Sequence, residues 1–536
     1  MGRKRATSWA GWGRQAVAAP AGLLLVVAGS ALAQEPRRAT EPSVLNEPAE
    51  VMQIVDSFDV DDPFDVSISL GFQQTSKRAK IRRETAVSQP GLTTGGYVSD
   101  DLEIARYRER TSRLLPRVDL GLYRDIAIYA RMPIILANHR KLEALEGAGE
   151  SQSLTLRGEP GEQLFRLPFE SPTRSGVEYL ALGLEFALMN QARNWVRPTW
   201  IGGIEGRIDV SEPMHACNAS PEPLNQVDGT SQVDCANPSD YNRNGEDGDA
   251  VGADGVPLEG VFSSNPGAGV SRGVTGLQVY SLVSKRVKYV EPYGGFRALF
   301  EFPKENSDYG LTDLEGSLVN HPPLRGNFIA GIAIIPWEIR ERYQRLTFDL
   351  RFLGTYVSEG RDYSELFDAL GSSDARSLRR PHYAGYQRNP EYIDPETPGY
   401  PADPTQSQAT ASIVDPQSQK VYFTGITDVQ QHAEFSLSGQ ATWQAGEYVK
   451  FNLGLGYQYV QPHFITFDEA CNPDFSGDLY EAGPCRTSST AQLGGILSAT
   501  GIPNPNYRRT LNTPGYRFKV DDANLVDGWL NVSVLF

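Results

Sequence analysis

Charged residues of both signs recur in this chain at alternate positions, each row opposing a row of apolar side chains. They are Arg117, Asp119, Arg131, Glu185, Glu205, Arg207, Asp209, Glu291, Arg297, Glu301, Arg345, Asp349, Arg351, Glu434, Lys450 and Asp527. Charges on one face of a set of strands can do one of two things. In water they line a passage and set its selectivity through a transverse field, whereas in a dry interior they must pair and so close it. The chemistry these residues suggest is therefore passage or closure rather than bond-making.

Two further groups carry chemistry. Asp240, Asn242, Asn244 and Asp249 place oxygen ligands in a short loop with Gly245 and Gly248, as calcium loops do, yet Val251 stands where a bidentate Glu is expected. A structural calcium ion in an outer loop is one reading, and a flexible acidic loop is the other. The four cysteines, Cys217, Cys235, Cys471 and Cys485, lie in polar Asn/Pro/Gly/Asp-rich stretches without zinc spacing. In an exported chain, local pairing is expected, Cys217 with Cys235 and Cys471 with Cys485. Other connectivities stay open.

Strands must position the charged rows. In residues 64–73, Val66, Ile68, Leu70 and Phe72 alternate with Ser67, Ser69, Gly71 and Gln73, the period of an extended chain with one apolar face. After a polar loop the chain returns through 101–123, turns at Arg124-Asp125 and runs out again through 126–132. Similar hairpins follow at 176–189 with 200–209, 276–283 with 289–302, 327–337 with 346–352, and 435–443 with 451–457. Short turns strictly alternate with long connections at about 211–272, 359–428 and 462–523, the second with a helical turn expected at 363–370. The count is about twelve strands. Trp200, Trp337, Tyr343, Trp443, Tyr448 and Trp529 fall near turns or strand ends, as an interfacial aromatic girdle requires. A secreted β-sandwich or propeller is the soluble alternative, but it does not predict the loop asymmetry, and no blade-length repeat is present.

The 536 residues carry a formal net charge of −16. Residues 1–33, with Arg3, Lys4, Arg5 and Arg14, a short apolar run and Ala31-Leu32-Ala33, read as a signal peptide. Its removal takes away those four positive charges and brings the net charge to about −20. So acidic a chain is a poor partner for nucleic acid. Residues 34–63 are polar and rich in Pro and Glu and read as a periplasmic segment; the barrel is expected from 64 to 536. No stretch approaches the apolar length of a spanning helix, so a membrane reading requires a closed barrel.

The last residues, LVDGWLNVSVLF, alternate in the same way and finish on Phe536. This ending resembles the terminal strand of Gram-negative bacterial outer-membrane β-barrel proteins of the porin-like kind. The resemblance implies an all-β transmembrane antiparallel barrel with short periplasmic turns and long extracellular loops, exported to the outer membrane. It also implies Phe536 as an assembly signal read by the barrel assembly machinery, with outer-membrane lipid and lipopolysaccharide as surroundings. The expected function is a passive channel for small hydrophilic solutes, with no cofactor. The alternative is a closed scaffold whose loops serve adhesion. A hydrolase of the outer-membrane phospholipase kind is disfavoured, because the parity of His432, read as the one histidine near a strand, puts it with Glu434 inside rather than on the lipid face.

Overall fold

The computed structural model describes residues 65–88, 97–145, 156, 158, 162–191, 193–220, 233–235, 268–304, 309, 321–373, 375–378, 380–381, 420–421, 423–468 and 506–535. Twelve strand lines form the wall. They are β1 (Val66–Ser88), β2 (Tyr97–Tyr123), β3 (Ile126–Arg131, continued by Ile134–Ala144), β4 (Arg174–Val177, continued by Leu180–Met189) and β5 (Thr199–Ile208). There follow β6 (Val274–Ser284), β7 (Val290–Pro303), β8 (Arg325–Ile339), β9 (Gln344–Val357), β10 (His432–Gln444), β11 (Val449–Val460) and β12 (Phe518–Leu535). Each pairs antiparallel with its neighbours in sequence, and β12 pairs with β1 from Ser67↔Leu535 to Arg83↔Phe518. The sheet is thus a closed twelve-stranded barrel without an edge, the form in which strands can cross a bilayer with every backbone group satisfied.

Alternation decides which way each side chain points. Ile68, Leu70 and Phe72 on β1, Leu453 and Leu455 on β11 and Val526 and Leu530 on β12 are exposed, and Leu455 is 68% accessible. In water such a belt would be strongly unfavourable; in lipid it is the stable arrangement. Tyr123, Trp200, Tyr289, Trp337, Trp443 and Tyr448 are exposed toward the turn end, and Tyr356, Tyr457 and Tyr459 toward the loop end, which makes two girdles. Trp529 does not join them. Its parity turns it inward, where its indole Nε1 donates to Gln440 Oε1 at 3.0 Å.

Several strands run further than apolar alternation indicates. The connection expected after residue 73 is instead the upper half of a long hairpin, with β1 reaching Ser88 and β2 starting at Tyr97. Likewise β3 reaches Ala144, and β12 begins at Phe518. Above the apolar belt the outward positions are charged, so the lipid-facing signal stops while the hydrogen-bonded ladder continues.

The inward positions at the loop end are apolar. Ile81, Tyr107, Leu142, Val460 and Val520 pack with Phe165, Phe169, Leu366, Leu370, Leu378, Phe423 and Leu511 from the connections into one buried cluster. A helical turn, α1 (Phe367–Gly371), lies within this mass with all five residues buried; it starts later than the 363–370 turn expected. At about 2 kcal/mol per buried Leu or Phe side chain, the cluster holds the connections as a folded cap over the mouth.

Candidate functional site: the barrel interior

The interior is built by a repeated cross-strand device. Tyr129 faces Gly183, Tyr280 faces Gly203, Tyr293 faces Gly331 and Trp529 faces Gly454, each pair in direct register on adjacent strands. A Cβ placed on any of these glycines would stand 2.1–2.3 Å from the facing ring, so only glycine lets the ring lie flat across its neighbour. Each ring then aims a donor at a partner inside. Tyr129 Oη donates to Glu205 Oε2 at 2.8 Å, Tyr280 Oη to Glu185 Oε1 at 2.5 Å and Tyr293 Oη to Asp349 Oδ1 at 2.6 Å.

Around these rings the charged rows assemble. Arg117 reaches Asp119 at 2.5 Å and Glu185 at 3.4 Å, and its guanidinium lies 4.1 Å from the Tyr129 ring centroid. Glu205, almost wholly buried, receives Arg131 at 2.5 Å and Arg207 at 2.8 Å, and Arg207 also donates to Gln278. Asp349 holds Arg351 at 3.0 Å. Arg297 borders the same space 5.9 Å from the Tyr280 ring, and no ion pair to it occurs among the described residues. Nearer the turn end, Lys450 and Arg345 are buried. Glu434 accepts from Gln458 at 2.7 Å, Asp527 takes Thr75 at 2.5 Å and Gln73 at 3.3 Å, and Glu291 is fully buried. Asp209 sits just beyond the end of β5, where it meets Lys304 at 3.1 Å and Ser271, at the cap rather than along the wall.

Three cavities follow one another along this interior, the first and third polar and the second of mixed lining. One of about 290 Å³ is lined by Arg117, Asp119, Glu185, Glu205, Arg297 and Lys450 among others, and one of about 390 Å³ by Arg351, Gln440, Asn452 and Trp529. The third, about 550 Å³, lies under the cap between Lys77, Arg140, Glu178, Arg207, Glu301, Glu434 and Asp527.

The cap closes on this third space through buried ion pairs. Arg174, at the start of β4, makes a bidentate bridge to Asp368 of α1 at 2.6 and 2.9 Å, with both side chains nearly inaccessible. The same guanidinium donates to the carbonyls of His215 and Ala268, so one residue ties α1 to the 209–273 connection. Arg272 bridges Glu301 and Asp362, each at 2.7 Å, and Arg325 reaches Asp362 at 3.0 Å. Burial pushes the Asp362 carboxyl up, but Arg272 and Arg325 outweigh it and hold it below the ordinary carboxylate range. Glu365 behaves likewise: burial raises it, Lys77 at 2.6 Å more than compensates, and it ends low.

Beside Glu365, His432 and His463 stack with ring centroids 3.7 Å apart, and each Nδ1 is positioned to donate to a backbone carbonyl, of Gln430 and Gln461 respectively. Burial, reinforced by the neighbouring His432, lowers the His463 imidazole to about 4. His432 is inside, as its parity requires, but it is not the one histidine near a strand, since His139 lies on β3.

Cys217 and Cys235 form the expected disulfide, and the backbone amide of nearby Val233 donates to the Ser372 carbonyl just after α1. Cys471, Cys485, the calcium-like positions Asp240, Asn242, Asn244 and Asp249, and Phe536 lie outside the described residues. The ring donors Tyr129, Tyr280, Tyr293 and Trp529 did not emerge from charge patterning. Their signal in the sequence is an inward aromatic whose antiparallel partner is glycine, visible only once the register is known.

No protein-family model and no curated protein sequence matches the chain. Among solved structures it is similar to an outer membrane channel from Pseudomonas putida F1, with 8% identity and a TM-score of 0.30 over 91% of this chain and 99% of that one. It is also similar to a Pseudomonas aeruginosa FadL homologue, with 8% identity and a TM-score of 0.28 over 92% and 93%. The outer membrane protease OmpT from Escherichia coli follows at 7% identity and a TM-score of 0.23, over 88% and 96%. Likenesses this distant carry no function; the barrel rests on its own strand order and closure.

Proposed function

We propose that the protein is an outer-membrane channel for small hydrophilic solutes, narrow and normally closed at its loop end by the folded cap. The observation that carries this reading is the pair of polar, charge-lined cavities, one near the turn end and one under the cap, with a mixed polar and apolar space between them that holds Arg117, Arg131 and Arg351. A scaffold with a filled lumen would bury apolar side chains or tightly paired charges throughout, whereas here Arg297 faces open space without an ion-pair partner among the described residues. The second reading, a closed barrel that displays its loops for adhesion, is favoured by the buried cluster of the cap. Planar-bilayer recording with the purified full-length protein distinguishes the two. The channel reading expects rare, small conductance steps in the native protein and frequent ones in Arg174→Ala, which leaves Asp368 buried without its bidentate partner at a cost of about 3–5 kcal/mol. Silence in both, after verified insertion, leaves the scaffold.

A further inference from the structure

The outward faces of β1, β2 and β3 change character abruptly at the upper limit of the apolar belt. On β12 the exposed apolar row ends at Val526, which pairs with Ser76 of β1, which in turn pairs with Arg110 of β2. In the next outward row Arg78, Arg108 and Lys141 stand in direct register on three adjacent strands. One row higher Arg106 follows, with Glu143 beside it on β3. Like charges directly opposite one another on neighbouring strands destabilise a sheet, and here three cations do so in a line.

The carboxylate within this group does not relieve the excess. Glu143 serves both Arg108 at 3.3 Å and Lys141 at 2.6 Å. Arg78, Arg106 and Arg110 are exposed and make no hydrogen bond or ion pair among the described residues. In a chain whose formal charge is −16, five cations on three successive rows surround Glu143. The next cation along, Lys80 opposite Arg106, is already paired with Glu103 and Asp522; the excess around Glu143 calls for an anion from outside. Directly below the patch, Leu70, Phe72, Leu136 and Leu530 are exposed on the same strands and β12. The partner therefore has phosphate-like charge at one end and acyl chains at the other.

We infer that this patch binds the phosphorylated headgroup of a lipid in the leaflet at the loop end, with Arg78, Arg108 and Arg110 as the principal phosphate contacts. Paired guanidinium forks suit phosphate oxygens, and Glu143 holds Arg108 and Lys141 toward them. The inference rests on the membrane reading proposed above.

Native mass spectrometry of the full-length protein in dodecyl maltoside micelles, supplied with bis-phosphorylated lipid A, tests it. The wild type is expected to retain the lipid, and Arg78→Ala/Arg108→Ala/Arg110→Ala to lose about a hundredfold in apparent affinity. Arg110→Gln alone, the milder variant, is expected to lose about fivefold. Both variants should keep the heat-dependent gel mobility of a folded barrel. Retention unchanged in both variants overturns the site. So does equal retention of dephosphorylated lipid A, or displacement by inorganic phosphate at the lipid's own concentration, which would mark a free-anion site. Failure of the wild type to enter phospholipid vesicles overturns the membrane reading itself, a result separate from the other three.

Discussion

At the scale of single residues, the interior depends as much on what is missing as on what is charged. Gly203 has no side chain, so Tyr280 can cross the strand and bring its hydroxyl to Glu185, which also receives Arg117. A single added branch at Gly203 would displace the ring and unfasten the carboxylate together. Gly203→Val is therefore expected to cost roughly 1–3 kcal/mol, read as a lower denaturant midpoint by tryptophan fluorescence. Gly439→Ala serves as the comparison, because a Cβ there meets nothing within 4 Å, and it should leave the midpoint nearly unchanged. A similar loss in both would mean that strand glycines matter here for flexibility and not for room.

At the scale of elements, the cap is a unit with its own electrostatics. The His463 imidazole is held at about 4 by burial and by His432, well under its ordinary value near 6.5. Because the folded value is the lower one, the stability at stake is present above about pH 6.5 and is lost as pH falls toward 4, when the opened state takes up a proton that the closed state refuses. Lys77, Glu365 and Glu434 are the other charged groups around the pair. Glu365 and Asp362 are held low, so they stay ionised through most of that window. Asp428, raised by burial and by Asp468, acts with the opposite sign. Limited proteolysis at pH 7.5 and 4.5 should show the cap more accessible in acid, and His463→Phe, which keeps a stacked ring and removes the titration, should flatten that difference. A difference that persists in the variant assigns the effect to the carboxylates.

The strands that cross the belt were legible in the sequence because lipid enforces a strict two-residue period; that is why β9 to β11, with their unbroken alternations, were read to within a few residues. The cap was not legible. Leu366, Leu370, Phe423 and Leu511 are scattered through polar connections, and their burial depends on contacts between segments far apart in the chain. For the same reason the inward charges could be named from parity, but their partners could not, since Arg174 with Asp368 or Arg272 with Asp362 joins residues that share no periodic pattern.

At the scale of the whole molecule, charge is distributed against the average. The chain is strongly acidic, yet the cavity near the turn end sets four cations, Arg117, Arg131, Arg297 and Lys450, against three carboxylates, Asp119, Glu185 and Glu205. The lumen is thus slightly positive inside an anionic protein, and a low-dielectric wall focuses that difference on a passing ion. Reversal potentials in a salt gradient should show weak anion preference in the wild type, shifted toward cations by Arg297→Glu, whose side chain changes the lining by two charges. Equal selectivity in the two proteins would place the conducting path away from Arg297.

The seam between β1 and β12 governs how such a molecule can come into being. Gln73 donates to Asp527 at a sequence separation of 454, so the first strand of the wall must wait for the last before its second edge is filled. Contacts of this range are slow to form, because the chain loses its loop entropy before the ladder repays it. Until the final strand arrives, β1 therefore presents an open edge on which another chain can pair, and closure of the ring is a single late event rather than a stepwise one.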